Sequence, residues 1–163
     1  MFVVKEKVVY PGHGVAQIDR IVEKTIGGSP TTFFELRLIN KDMTVLIPTT
    51  NLGMAGIRPL STQANVKSVL KLLAMKPVRE VCSEMLSNWN KRNKDYQCRL
   101  RSGDIVEICK IYRDLKCIER EKELSFGERL LLTQTEHLLA EEISFVSNLG
   151  EDMAIQKIRS YFE

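Results

Sequence analysis

The segment STQANVKSVLKLL, residues 61–73, marks the change from one folding pattern to another. Its apolar residues recur at the spacing of one helical face, at Val66, Val69, Leu70 and Leu73. Thr62 precedes them and has the chemistry of an N-cap, because its hydroxyl can accept a free backbone N–H of the first turn. Before this segment the apolar residues follow the alternation of strands instead. We therefore predict two domains, a β module at residues 1–60 and a helical module at residues 61–163.

Short strands separated by turns characterise residues 1–60. The turns are rich in glycine, proline and asparagine and fall at residues 11–14, 27–30 and 40–42. Between them the clearest alternation places Phe34, Leu36 and Leu38 on one side of a strand. So short a sheet must curl or close to bury apolar surface and to hide its edges. The pattern predicts a small antiparallel β-barrel followed by an all-helical module, an α+β fold.

Two capping patterns predict helices in the last third of the chain. Asp104 with Glu107, and Ser125 with Glu128, have the spacing of a capping box. They predict helices from about residue 105 to 122 and from 126 to 147, with a short final helix after Gly150. The glutamates of this part of the chain are predicted to form solvated helix faces: Glu119, Glu121, Glu123, Glu141 and Glu142.

Residues 88–101, NWNKRNKDYQCRLR, hold the only tryptophan, Trp89, among five cations. Asn88 is predicted to cap a helix that begins here, so that Trp89 lies in its first turn. Two interpretations of Trp89 remain open. In the first, the cations neutralise phosphates while the ring stacks on or wedges against a base. In the second, Trp89 fills a core, since tryptophan is highly buried on average.

The charge distribution favours one basic face on the molecule. Residues 62–101 carry nine Lys/Arg against three Asp/Glu, whereas residues 102–163 carry eight against thirteen. A positive field confined to the middle of the chain is typical of a local nucleic-acid contact, not of a protein that coats nucleic acid along its whole length.

Catalytic and metal-binding patterns are lacking in the sequence. No phosphate-binding loop or nucleophile elbow occurs, and the two histidines, His13 and His137, lie far apart. The four cysteines form no C-x-x-C pair, so reduced and mostly buried thiols are expected. We predict a non-enzymatic binding protein without cofactor or metal. No apolar run could span a membrane and the N-terminus lacks the features of a signal peptide, so a cytoplasmic location is expected.

The chain resembles the CarD/CdnL family of bacterial transcription regulators along nearly its whole length. The motifs that carry the resemblance occur in the family's order: VVYPGHGVAQI (8–18), LRLINKDMTVLIPTTN (36–51), NWNKRNKDY (88–96), DIVEICKIYRDL (104–115) and ELSFGERLLLTQTEHLLAEEI (123–143). The resemblance implies a Tudor-like barrel that binds the β subunit of bacterial RNA polymerase. It also implies a helical domain that contacts promoter DNA, without sequence readout, at the upstream edge of the melted bubble.

The resemblance also assigns site residues. The tryptophan that the family wedges into the minor groove is Trp89, and the family's accompanying cations fall on Lys91, Arg92, Lys94 and Arg129. On the barrel, Lys24 and Leu46 occupy the positions of two arginines that grip polymerase. Because Leu46 is not basic, the contact is expected to use backbone hydrogen bonds and the flanking Val45 and Ile47.

We therefore expect a monomeric transcription-initiation factor that stabilises the promoter open complex. One alternative is a helix-turn-helix repressor that uses the helix after Ser125 for recognition. The acidic residues of that helix, Glu128, Glu136, Glu141 and Glu142, argue against it because they would repel phosphates. A second alternative is a protein–protein adaptor of RNA polymerase that never touches DNA and buries Trp89.

Overall fold

A computed structural model describes residues 2–75 and 89–163 of the chain. It divides into two compact units, Met1–Leu60 and Ser61–Glu163. The predicted cap Asn88 lies outside the described residues.

The first unit is a five-stranded antiparallel sheet. Its strands are β1 (Lys7–Tyr10), β2 (Gly14–Ile26), β3 (Ser29–Leu38), β4 (Met43–Pro48) and β5 (Arg58–Pro59), in the order β4-β3-β2-β1-β5. A 3-10 turn (Thr49–Asn51) and the single-turn helix α1 (Leu52–Ala55) lie between β4 and β5. Together with the helical second unit, this sheet confirms the predicted α+β fold.

A single apolar cluster holds the sheet together. It comprises Val8, Ala16, Ile18, Phe34, Leu36, Leu38, Ile47 and Ile57, so the predicted alternation in β3 is confirmed. The β2–β3 hairpin is paired as far as Ile26 and Ser29. Gly27 and Gly28 form its two-residue turn with φ of 58° and 82°, a backbone conformation that residues with a Cβ seldom adopt.

Within its described residues, 61–75 and 89–163, the second unit contains five helices. They are α2 (Gln63–Ala74), α3 (Trp89–Ser102), α4 (Ile105–Glu121), α5 (Phe126–Ser147) and α6 (Glu151–Ser160). The Thr62 hydroxyl accepts the Asn65 N–H at 3.2 Å, which confirms the predicted cap of α2. Gly103, at φ 72°, ends α3. None of the helices in the described ranges is both long and apolar enough to cross a membrane.

The two predicted capping boxes have different outcomes. Before α5 the box is complete, because Ser125 and Glu128 each bond the other's backbone N–H. Before α4 only Asp104 acts as a cap, accepting the Val106 N–H at 2.9 Å. Glu107 instead pairs with Arg99 at 3.3 Å and with Lys110 at 3.2 Å. In the box predicted before α4, Asp104 is therefore confirmed as the cap, whereas the capping role of Glu107 is wrong.

Helix α5 is the centre of this unit, since α2, α4 and α6 all pack against it. Its residues Leu131, Thr135, Leu139 and Ile143 are buried, while the predicted face residues Leu132 and Val146 are partly buried against the same core. The unit's remaining core is contributed by the other helices: Val66, Val69, Leu73, Tyr96, Leu100, Ile105, Ile108, Tyr112, Leu115, Ala154 and Ile158.

The predicted solvated glutamates are confirmed as exposed at Glu119, Glu121 and Glu123. The prediction is wrong for Glu141 and Glu142, which are buried in α5 together with Glu128 and Glu136. Glu136 accepts the Tyr112 hydroxyl at 2.9 Å and is held by the Arg159 guanidinium at 2.6 Å. Their charges are directed into the protein, so the argument from phosphate repulsion against a repressor does not hold.

One of these glutamates holds the first residue of the helical unit. The Glu142 carboxylate accepts the backbone N–H of Ser61 at 2.9 Å and also its hydroxyl. The point at which the chain enters this unit is thereby attached to the second half of α5.

The expectation of reduced, mostly buried cysteine thiols is wrong for Cys117. Cys109 is buried and free, and burial raises the pKa of its thiol to about 12. Cys98 is free but exposed, and Cys117 is disulfide-bonded. Among the described residues, no group of three or more His, Cys, Asp or Glu side chains is arranged to hold a metal ion.

Candidate nucleic-acid interface

Trp89 lies at the first described residue of α3 and is partly buried. Its ring packs against the helical core and lies 6.5 Å, between centroids, from Tyr96. Trp89, Arg92 and Tyr96 follow the i, i+3, i+7 spacing of one helix face, which explains why all three turn towards the rest of the unit. Trp89 is therefore neither fully buried in the core nor fully exposed on the surface.

The N-terminus of α5 forms part of the tryptophan's seat. A Cβ added to Gly127 would lie 3.2 Å from Trp89 Cζ2, so the ring would have to shift slightly to admit any other residue there. Gly127 stands inside the Ser125–Glu128 capping box. The local sequence that starts α5 therefore also fixes where the indole lies.

Arg92 is directed inwards, unlike the other predicted cations. Its side chain is only 13% exposed, and its Cζ lies 5.3 Å from the centroid of the Trp89 ring. Its Nη2 is 3.5 Å from a carboxylate oxygen of Glu128, which is 1% exposed. The structure therefore brings Arg92 to Trp89 but does not bring it to the surface.

Glu128 is ionised despite its burial. Burial by itself raises the pKa of the carboxyl, but the hydrogen bonds from Ser125 and the charges of Lys122 and Arg92 outweigh it, so the pKa lies below its ordinary value. Lys122 Nζ is 3.5 Å from the other carboxylate oxygen. A buried anion with two cations thus lies directly beside the tryptophan's seat.

The two helices that meet at Trp89 carry exposed side chains that are both basic and apolar. Lys91 and Lys94 are exposed on α3, and Arg129 is exposed on α5. Phe126 is 74% exposed at the first position of α5, and Leu130 is exposed one turn later. We call these five residues the tryptophan surface: Lys91, Lys94, Phe126, Arg129 and Leu130. Such a combination can neutralise phosphates and cover the apolar edges of sugars and bases.

Phe126 and Leu130 were not predicted from the sequence. In the motif LSFGER the phenylalanine stands between Ser125 and Glu128, which predicted the start of a helix and gave no role to Phe126. An available signal is that Phe126, Arg129 and Leu130 follow i, i+3, i+4 spacing. That face lies outside the buried set of Thr135, Leu139 and Ile143.

The predicted polymerase-binding residues belong to the first unit, where Lys24 lies well away from Leu46. Strand β4 is one end of the sheet order, and Leu46 pairs with Glu35 of β3. Lys24 pairs with Thr31, four residues away along β3, or roughly 13 Å of strand. Leu46 is exposed, and its neighbour Glu35 forms an ion pair with Arg20 of β2.

Ile47, one of the predicted contact residues of β4, does not reach the outer face of the sheet. Ile47 is buried in the cluster of the sheet, and Val45 is partly buried against the same cluster. Successive residues of a strand point to opposite faces, so only Leu46 of these three turns its side chain outwards. A partner at β4 would therefore meet Leu46 and the strand's backbone.

Comparisons with known proteins match both units. Residues 2–61 match the model of the CarD-like/TRCF RID domain, and residues 69–159 match the model of the CarD C-terminal domain. With the two-unit fold, these matches define a transcription regulator. The chain belongs to the CarD family, which is a family of transcription factors and not of enzymes.

Individual relatives agree with the family models. The chain is 28% identical over 155 residues to the "Putative transcription factor YdeB" of Bacillus subtilis (strain 168), covering 93% of this chain and 95% of the relative. It is 29% identical to the solution structure of the 72-residue N-terminal domain of Myxococcus xanthus CarD. That match covers 36% of this chain and 79% of the other, with a TM-score of 0.32.

Proposed function

We propose that the protein is a transcription-initiation factor that binds the β subunit of RNA polymerase and stabilises the promoter open complex. The β unit makes the polymerase contact. The helical unit contacts DNA without sequence readout, and Trp89 enters the minor groove at the upstream edge of the bubble. The protein acts as a monomer and without a cofactor.

The observation that supports this function best is the setting of Trp89. The only tryptophan of the chain is partly exposed at the first described residue of α3, and the basic and apolar side chains of the tryptophan surface lie on α3 and on the start of α5, the two elements that meet at the ring. A structural tryptophan needs no such surroundings, whereas a side chain that enters a groove needs phosphate contacts on either side of it.

The energetics of such a contact favour the melted state. Insertion of a ring at a base step costs a few kcal/mol of unstacking, and the cost is least where the duplex is already frayed. Polymerase has met this cost at a bubble edge, so the ring binds the open complex better than the closed one. A ligand shifts an equilibrium only by this difference in affinity.

The polymerase contact compensates for weak DNA binding. Three exposed cations, Lys91, Lys94 and Arg129, neutralise few phosphates, so the contact with DNA alone is weak at physiological salt. Attachment of the β unit to polymerase raises the effective concentration of Trp89 at the promoter. The contact is proposed at the β4 edge, through backbone hydrogen bonds and the exposed Leu46.

The adaptor alternative is favoured by one observation, the packing of Trp89 against the helical core. Fluorescence separates the two functions cheaply, because the chain has a single tryptophan. Fork-junction DNA that shifts the emission of Trp89 and protects it from a soluble quencher supports the DNA contact. Emission that DNA leaves unchanged supports the adaptor.

The decisive experiment measures the lifetime of the open complex that a bacterial RNA polymerase forms on a ribosomal RNA promoter. It compares no protein, wild type, Trp89→Ala and Trp89→Phe, with circular dichroism as the test of folding. Met153→Ala serves as the matched control, since Met153 is an exposed apolar residue of α6 outside the tryptophan surface.

We expect wild type and Met153→Ala to prolong the lifetime, and Trp89→Ala to do so much less while still binding polymerase. If Trp89→Ala acts like wild type, the DNA contact is wrong. If no version changes the lifetime, the adaptor becomes the better account. Sequence-specific binding of the protein alone to an operator supports the repressor.

A further inference from the structure

We propose that Arg92 is a positioning residue that holds Trp89 in place, and that it does not bind a phosphate. The inference rests on the DNA contact proposed above and assigns one of its residues a different task. The resemblance to the CarD/CdnL family counts Arg92 among the cations that accompany the tryptophan. Its surroundings in this chain point to another role.

The guanidinium of Arg92 is hidden from a ligand. Its Nε and Nη1 atoms are buried, and neither has a hydrogen-bond partner within residues 2–75 and 89–163. A charge-assisted bond to a phosphate oxygen needs an accessible N–H at about 2.8 Å. Lys91, Lys94 and Arg129 are exposed, so a ligand can reach their side chains.

The side chain is held in this position from two directions. The Trp89 ring attracts the guanidinium at 5.3 Å, and the buried Glu128 carboxylate lies 3.5 Å from Nη2. Leaving the site would separate Arg92 from Glu128 and strand a carboxylate in a buried place. That separation is costly because a buried charge without its partner is strongly unfavourable.

The first turn of α5 contacts both the Trp89 ring and Arg92. Gly127 touches the indole of Trp89, and the next residue, Glu128, supplies the counter-charge of Arg92. The first turn of α5 therefore fixes the indole directly and again through Arg92. A ring that is already fixed in its bound orientation loses less conformational freedom when it enters DNA, so its affinity is higher.

The dependence of DNA affinity on salt distinguishes a positioning residue from a phosphate contact. Each phosphate contact contributes about 0.9 to the slope of the logarithm of the affinity against the logarithm of the salt concentration. A positioning residue changes the affinity but leaves that slope unaltered. The experiment titrates the full chain with fluorescent fork-junction DNA over a series of KCl concentrations.

We compare Arg92→Gln and Arg92→Lys with Lys94→Gln, an exposed cation on the same helix. Lys94→Gln is expected to lower the slope by about 0.9. Arg92→Gln is expected to keep the wild-type slope and to weaken binding roughly fivefold, the loss of one cation–π contact of about 1 kcal/mol. Arg92→Lys is expected to behave like Arg92→Gln, because an ammonium does not reproduce the planar contact of a guanidinium with an aromatic ring.

Tryptophan fluorescence gives an independent readout. Both Arg92 variants are expected to shift the emission of Trp89 and increase its quenching by acrylamide, whereas Lys94→Gln leaves both unchanged. The double variant Arg92→Gln/Glu128→Gln removes both buried charges together, so it tests the same point if Arg92→Gln unfolds. It is expected to show the same altered emission.

Two results would overturn the inference. One is a slope lowered by about 0.9 in Arg92→Gln and restored in Arg92→Lys, which would make Arg92 a phosphate contact. The other is wild-type affinity and emission in both variants. Failure of the proposed function has a separate signature, since Trp89→Phe and Trp89→Ala would then bind fork-junction DNA as tightly as wild type.

Discussion

Replacement of Glu128 by glutamine tests whether the buried charge beside Trp89 stabilises the helical unit. Glutamine has nearly the same shape and can still accept the Ser125 N–H, so the cap of α5 is kept. The change removes only the negative charge and leaves the guanidinium of Arg92, which is 13% exposed, without its partner.

The expected loss is about 2 kcal/mol in the free energy of unfolding at pH 7. Loss of one partner of a buried ion pair typically costs about 3–5 kcal/mol. The separation of 3.5 Å and the lack of a direct hydrogen bond at Glu128 Oε2 place this pair below that range. Lys122 adds little, because it is largely solvated.

The pH dependence identifies the charge as the cause. The folded pKa of Glu128 is lowered from 4.5, so its stabilisation is fully present above that pH and is lost as pH falls through the folded pKa. Wild type then carries a neutral carboxyl at this position, and the glutamine variant carries a neutral amide at every pH. The two proteins should therefore converge in stability at acidic pH.

Urea unfolding followed by circular dichroism measures both quantities, at pH 7 and at steps down to the acid range. Glu123→Gln is the matched control, since Glu123 is exposed just before the same cap; it should change stability by less than about 0.5 kcal/mol. A loss in Glu128→Gln that is equally small, or one that stays constant as pH falls, would refute the reasoning.

Three further predictions concern other parts of the molecule. Burial raises the pKa of Asp114 from 3.8 to about 6, so the folded state loses stability as pH rises from about 4 through 6 and no further above it. Asp114→Asn should therefore be more stable than wild type by about 1–2 kcal/mol at pH 7 and lose this advantage by pH 4, as followed by thermal melting across pH. Tyr112→Phe removes the hydroxyl bonded to Glu136 and should cost about 1 kcal/mol in urea unfolding; an unchanged midpoint would contradict that bond's contribution. Leu46→Arg places a cation opposite Glu35 on the outer face of the sheet and should tighten binding to a polymerase β-subunit fragment in calorimetric titration, whereas unchanged affinity would argue against a contact at β4.

Features that depend on neighbours in sequence were predictable. The caps at Thr62 and Ser125 and the break at Gly103 follow from chemistry within four residues of each helix end. The alternation in β3 fixed its buried face in the same way. Such signals decide where elements begin and end, and thus the α+β class.

The buried glutamates of α5 were not predictable by such rules. Their partners come from other helices: Arg92 of α3 for Glu128, and Tyr112 of α4 with Arg159 of α6 for Glu136. Each glutamate alone looks like a surface residue, and only the packing of several helices around α5 makes its burial possible. A pattern along one helix contains no information on those partners.

Side-chain directions within β4 limit which of its predicted contact residues a partner could meet. Val45 and Ile47 were expected to take part beside Leu46 in an edge contact with polymerase. A strand cannot present three successive side chains to one partner, because their directions alternate. Application of the same alternation that succeeded for β3 would have assigned Ile47 to the core.

The attachment of Ser61 to Glu142 has a mechanical consequence. If polymerase holds the β unit and DNA holds the helical unit, as proposed above, tension acts on the chain at residue 61. The Glu142 carboxylate accepts hydrogen bonds from both the N–H and the hydroxyl of Ser61. Force applied at Ser61 is therefore transmitted to α5 before it can detach the N-terminus of α2. In a single-molecule stretching experiment, Glu142→Ala should let the helical unit yield from the α2 end at a lower force than wild type.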